Sequence, residues 1–128
     1  MAYSNVIDYN TILTTGNSAD FGDLTIAVSW HTACCDETRA VMAGGHKGSV
    51  TDEIDYLTIA TTGNAVVFGD LITSKYAMGA CSGSTRAVWA GADGGYEVIQ
   101  YVTIQTTGNA VDFGDLTGDI AAATGTAA

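Results

Sequence analysis

The segment Asp55-Tyr56-Leu57-Thr58-Ile59-Ala60-Thr61-Thr62-Gly63-Asn64 decides the fold. Tyr56, Thr58 and Ala60 alternate with Leu57, Ile59 and Thr61, which is the period of a β-strand. β-branched and aromatic residues favour an extended chain here. Thr-Gly-Asn then predicts a tight turn, because Gly and Asn tolerate positive φ. The segment occurs three times. Asp8-Tyr9-Asn10-Thr11-Ile12-Leu13-Thr14-Thr15-Gly16-Asn17 precedes it, and Gln100-Tyr101-Val102-Thr103-Ile104-Gln105-Thr106-Thr107-Gly108-Asn109 follows it. Each copy runs on into the same ending: Phe21-Gly22-Asp23-Leu24, Phe68-Gly69-Asp70-Leu71 and Phe113-Gly114-Asp115-Leu116.

Between the copies lies a second repeated unit. Ala33-Cys34 and Thr38-Arg39-Ala40-Val41 return as Ala80-Cys81 and Thr85-Arg86-Ala87-Val88. The spacing is 47 residues the first time and 45 the second. The difference falls where His46–Glu53 is replaced by the shorter Asp93–Glu97, as expected of a loop. Four strands are expected per repeat. The first spans Val28–Cys34 and Lys75–Cys81, and the second Arg39–Ala43 and Arg86–Ala90. The third spans Val6–Thr14, Ile54–Thr61 and Val98–Thr106, and the fourth Ala19–Leu24, Val66–Leu71 and Val111–Leu116.

An all-β repeat of this size with four antiparallel strands has the dimensions of a propeller blade. The landmarks resemble a kelch repeat: Val41-Met42-Ala43-Gly44-Gly45, then Tyr56, then Phe68-Gly69-Asp70-Leu71. The second copy departs at Gly91-Ala92, and Phe stands where kelch repeats usually carry Trp. The wording Tyr-x-Thr-Ile-x-Thr-Thr-Gly-Asn-Ala-x-x-Phe-Gly-Asp-Leu is also similar to blade repeats in bacteriophage tail-associated proteins. That resemblance implies a structural or adhesion component of a virion or other extracellular particle. The alternatives are a soluble carbohydrate- or protein-binding propeller and an extracellular filament subunit.

On this reading residues 1–25 are a half blade, 26–72 and 73–117 are blades, and 118–128 are a tail. Gly125 aligns with Ala80 and Thr126 with Cys81, so the tail resembles a degenerate first strand. A closed propeller needs at least four blades. Completion by another chain is therefore expected, through strand exchange in a head-to-tail homo-oligomer, either a dimer or a filament.

Composition narrows the functions. Hydrophobic residues make up 47% of the 128, which suits a globular domain. Charged residues are only 14%, and the net charge is −10. Such a surface repels phosphate backbones and anionic membranes, so neither nucleic acid nor membrane insertion is expected. No apolar run approaches a membrane span, and the start MAYSNVIDYN does not read as a signal peptide.

Arg39 and Arg86, the only arginines, are repeat-equivalent, as are Asp23, Asp70 and Asp115. They are expected to act as structural clamps, with Arg on a carboxylate or on turn carbonyls. Two Arg for three Asp leave one blade, the shared one, without its clamp. Trp30 and His31 are the candidate ligand-binding residues, with a surface glycan or another virion protein as the ligand. Trp30 breaks the pattern by aligning with Ala77, whereas Trp89 aligns with Met42 and belongs to the core. The cysteines Cys34, Cys35 and Cys81 lack the spacing of a zinc site or a disulfide framework. Asp52, Glu53 and Asp55 read as a solvated loop before a weak calcium site. No nucleophile, base or phosphate-loop pattern is present, so no enzyme, no cofactor and no metal is expected.

Overall fold

The computed structural model describes residues 2–121 and 123–125. It is all-β, built of antiparallel sheets, with no helix among the described residues. The strands are β1 (Ser4–Tyr9), β2 (Ala19–Val28), β3 (Thr32–Cys35), β4 (Arg39–Ala43), β5 (Glu53–Thr58), β6 (Val66–Asp70), β7 (Gly79–Ser82), β8 (Arg86–Ala90), β9 (Tyr96–Thr103) and β10 (Val111–Ile120). They form a two-stranded sheet β1-β2 and two four-stranded meanders, β3-β4-β5-β6 and β7-β8-β9-β10.

Several strand ends differ from the sequence expectation. β1, β5 and β9 stop at Tyr9, Thr58 and Thr103, because the following residues already turn. Thr14, Thr61 and Thr106 donate N–H to Thr11, Thr58 and Thr103 at 3.2, 3.3 and 3.0 Å, which pulls each chain out of its ladder. Val28 ends β2 rather than opening the next strand, and Lys75 lies in a loop before β7. Trp30 and Ala77, at equivalent places before β3 and β7, have φ of 56° and 52°. The left-handed conformation interrupts a strand at each.

A bulge recurs at the same place in all three sheets. Ile7 faces Gly22 while Asp8 faces Asp20, Ile54 faces Gly69 while Asp55 faces Val67, and Ile99 faces Gly114 while Gln100 faces Asp112. The extra residue is Phe21, Phe68 or Phe113. Bulging re-aims that side chain off the regular alternation. Each Phe then meets the Tyr of its own repeat edge-on. The pairs Tyr9–Phe21, Tyr56–Phe68 and Tyr101–Phe113 have centroid distances of 5.8, 5.7 and 5.8 Å and interplanar angles of 85°, 80° and 85°.

Two cores lie between successive sheets. Leu24 and Val28 of the first sheet pack against Met42, Leu57 and Ala65. Val41, Ile54 and Phe68 of the second pack against Ala87, Trp89, Val102 and Ile104. Trp89 is fully buried, as its alignment with Met42 requires. Gly44 and Gly91 hold the left-handed turn position in both four-stranded sheets, with φ of 66° and 65°, so Ala92 in place of the second Gly leaves that turn intact.

Gly118–Ile120 extend β10, and Ile120 pairs with Tyr96. The contacts of Ile120 match those of Lys75, its repeat counterpart. Ala92 N–H reaches the Ile120 carbonyl at 3.2 Å, as Gly45 N–H reaches that of Lys75 at 2.8 Å. Gly125 then lies against Ala80, its own repeat counterpart. The alignment of Thr126 with Cys81 falls outside the described residues.

Candidate interaction site

The junction between sheets is built by backbone. At the first junction Gly63 N–H donates to the Phe21 carbonyl and Ala65 N–H to the Asp23 carbonyl, both at 2.8 Å. The Asn64 side-chain oxygen accepts Asp23 N–H at 3.0 Å. The second junction repeats all three. Gly108 N–H donates to Phe68 at 2.9 Å, Ala110 N–H to Asp70 at 2.8 Å, and Asp70 N–H to Asn109 Oδ1 at 3.1 Å. The Thr-Gly-Asn turn of one repeat thus sits on the Phe-Gly-Asp of the repeat before. The approach leaves no room for a side chain. A Cβ on Gly22 would fall 2.3 Å from the Gly63 carbonyl oxygen, and one on Gly69 2.2 Å from that of Gly108.

A side-chain bond adds to each junction. Thr25 donates its N–H to Asp55 Oδ2 at 3.0 Å and its hydroxyl to the same carboxylate at 2.8 Å. One repeat later Ile72 N–H donates to Gln100 Oε1 at 2.8 Å. Burial raises the Asp55 carboxyl above the ordinary carboxylate range, opposed by the Thr25 hydrogen bonds and assisted by Glu53. Glu53 also accepts the Thr25 hydroxyl. These contacts occupy two of the three carboxylates considered for calcium. Among the described residues no three His, Cys, Asp or Glu side chains group closely enough to hold a metal ion.

The arginines sit over rings. The Arg39 guanidinium carbon lies 4.6 Å from the Tyr56 centroid and that of Arg86 4.4 Å from Tyr101. Arg39 Nη1 also donates to the Ile104 carbonyl of the next repeat at 3.2 Å. Asp23 and Asp70 enter the junctions through their backbone N–H and C=O groups.

Gln105 and Ser82 complete the second junction. Gln105 Nε2 donates to Asp36 Oδ2 and Thr38 Oγ1, both at 2.6 Å, and Ser82 Oγ donates to the Cys35 carbonyl at 2.7 Å. Desolvation opposes ionisation of Asp36, but hydrogen bonds from Gln105, Arg39 N–H and Thr38 outweigh it and hold the carboxyl at about 2. The folded value lies below the ~3.9 of an unfolded Asp. Asp36 therefore contributes stability at pH values above ~4, and this is lost as pH falls toward the folded value. The carboxylate is open to solvent, so the effect is modest and screened by salt. Denaturation midpoints compared at pH 5 and pH 2.5 should show a smaller acid loss for Asp36→Asn than for the parent chain.

Trp30 and His31 part company. Trp30, 53% exposed, stacks on Tyr76 at 5.4 Å and 19° and meets His46 edgewise at 6.5 Å. Tyr3 stacks on His46 at 5.9 Å. Gly48 N–H donates to His46 Nδ1 at 3.3 Å, and the Tyr3 hydroxyl lies 3.2 Å from the same nitrogen. The Tyr76 hydroxyl bonds Asp93, and a shallow pocket is lined by Trp30, Tyr76, Ala77 and Asp93. His31 instead lines a separate cleft with Leu24, Met42, Glu53 and Asp55. Desolvation lowers its imidazole, with Asp55 pulling the other way. The repeat alignment singled out Trp30, but nothing in its spacing pointed to Tyr76, Tyr3 or Asp93 as companions.

All three cysteines are free, and burial pushes the Cys34 thiol up to about 12, with Cys81 and Cys35 adding to the rise and a Val88 backbone hydrogen bond opposing it. A thiol so poorly ionised is a packing group. No protein-family model matches the chain, and no curated protein matches its sequence.

Proposed function

We propose that the chain is a non-enzymatic structural or adhesion component, assembled from kelch-like propeller blades into a larger particle of the phage-virion type. The observation that carries this reading is the repeated junction. The same three hydrogen bonds, two between backbone groups and one from a backbone N–H to an Asn side chain, link first sheet to second and second to third, so each blade is joined to the next by a standard connector. Connectors of one kind build rings when the rotation closes and filaments when it does not. The edge strands β3 and β7 of neighbouring four-stranded sheets also meet through Ser82 and Cys35, which suits blades arranged around an axis.

Sedimentation velocity and electron microscopy of the purified chain test this reading. The expected result is concentration-dependent assembly into rings or filaments of blade-sized units. A folded monomer at high concentration overturns it. Detection of the chain by mass spectrometry in purified phage particles would support the virion assignment, and its consistent absence there would oppose it.

A second reading, glycan binding, rests on the exposed Trp30–Tyr76 stack beside Asp93. An aromatic face with adjacent polar groups suits a sugar ring. Titration with oligosaccharides should then change tryptophan fluorescence in the parent chain and not in Trp30→Phe. The fully buried Trp89 serves as the unresponsive internal reference.

A further inference from the structure

The chain carries a third socket and a third turn that the two internal junctions do not use. Phe113-Gly114-Asp115 repeats the socket of Phe21-Gly22-Asp23 and Phe68-Gly69-Asp70. A Cβ on Gly114 would meet nothing within 4 Å, where the other two sockets are filled by a turn carbonyl. Phe113 is 54% exposed against 3% for Phe68. At the opposite end, the turn at Thr15-Gly16-Asn17 docks on nothing among the described residues. Ile12 is 96% exposed, whereas its counterpart Ile104 is fully buried. The free turn is nevertheless held in shape. Thr14 N–H bonds the Thr11 carbonyl as in the docked copies, Asn10 Nδ2 donates to the Gly16 carbonyl at 3.4 Å, and Ser18 donates to Asn10 at 2.5 Å.

We infer that the turn and strand face around Asp8–Ser18 of a second copy of this chain dock on the Phe113–Thr117 socket of the first, head to tail. This rests on the self-assembling reading above and names its contact. The internal junctions supply the bonding pattern. Gly16 N–H is expected on the Phe113 carbonyl, Ser18 N–H on the Asp115 carbonyl, and Asp115 N–H on Asn17. Arg86, already seated on Tyr101 as Arg39 is on Tyr56, would reach the Ile12 carbonyl as Arg39 reaches that of Ile104. The most specific match is a side-chain pair. Thr117 stands at the position of Thr25, and Asp8 at the position of Asp55. The unfilled socket and turn thus carry the Thr–carboxylate pair that closes the first junction, where the second junction uses Ile72 and Gln100.

Three differences weaken the intermolecular copy. Leu13 replaces Gln105, Gly83 replaces Asp36, and Asn10 replaces the buried Leu57 and Val102. They remove one hydrogen-bonded pair and put a polar group on an apolar face, so the contact is reversible where the covalently linked junctions are permanent. Described residues of the tail stay on their own sheet, with Ala123 against Gly79 and Gly91. The contact therefore needs no strand to leave its chain.

Sedimentation velocity of the full chain and four variants tests the inference. Ile12→Asp blocks the turn end and Phe113→Asp the socket end, and each alone should weaken self-association at least about tenfold. Mixed in equal amounts they should form a heterodimer and stop, since one intact turn and one intact socket remain. Thr117→Glu, at an exposed site, places a like charge against Asp8 and serves as the socket variant should Phe113→Asp misfold by circular dichroism. Adding Asp8→Lys to Thr117→Glu should restore assembly. If the parent assembles and the folded variants assemble equally well, the inference is overturned while the self-assembling reading stands. A parent chain that stays monomeric overturns both.

Discussion

Gly69→Ala is expected to separate the second sheet from the third. The added carbon would lie 2.2 Å from the Gly108 carbonyl oxygen and 2.5 Å from its carbon, both backbone atoms that no rotamer change can move. The Thr107-Gly108-Asn109 turn must withdraw by about an ångström to reach ordinary contact. Withdrawal breaks Gly108 N–H to Phe68, Ala110 N–H to Asp70 and Asp70 N–H to Asn109 together. At about 1 kcal/mol for each hydrogen bond, with more where a buried partner is left unsatisfied, the loss is ~3 kcal/mol or greater. Gly69 does not have a left-handed φ, so the cost comes from space and not from backbone strain. Gly83→Ala is the control. Nothing lies within 4 Å of its added carbon, and its stability should stay within about 0.5 kcal/mol of the parent. Urea denaturation followed by circular dichroism measures both. A Gly69→Ala chain as stable as Gly83→Ala would show that the turn does not hold the sheets together.

Trp89→Ala should cost about 3–5 kcal/mol, the range for emptying a fully buried indole site. Trp89 sits between the second and third sheets with Val41, Ile54, Phe68, Val102 and Ile104 around the same core, and none of its surface reaches water. Its Nε1 finds no acceptor among the described residues. Trp89→Phe removes that unsatisfied donor along with some volume, so the two effects oppose each other and its loss should be well under that of Ala. Trp30→Ala, at an exposed position, should fall far below either. Thermal melts of the three variants rank them. Equal losses for Trp30→Ala and Trp89→Ala would contradict the placement of Trp89 in the shared core.

Much of the architecture was legible in the chain because it is written more than once. Tyr9, Tyr56 and Tyr101 share one position, and Phe21, Phe68 and Phe113 another, so the copies were expected to present these residues alike, and all three pairs do meet edge-on. The alternation around Leu57 and Ile59 likewise told which strand the turn must follow. The repeat also separated Trp89 from Trp30, since one falls on a buried counterpart and the other does not.

Partners were a different matter. Asn64 and Asn109 looked like turn residues that tolerate positive φ, yet among the described non-glycine residues only Trp30 and Ala77 have it. Their amides instead accept N–H groups from Asp23 and Asp70 of the preceding repeat. Arg39 has one nitrogen on the carbonyl of Ile104, a turn residue, but the Tyr56 ring beneath its guanidinium was not read from the chain. Trp30 and His31 looked like one site, and the two side chains line different clefts.

The sequence by itself determined the all-β class and the repeat register. These follow from local geometry, where a period of two residues and a glycine in a turn are read over a few positions. Only the tertiary structure decided which repeat touches which, and through what atoms. Most of those bonds join backbone groups some 40 residues apart, as in Phe21 with Gly63. Every residue but Pro carries such groups, so no side-chain pattern marks the ones that pair.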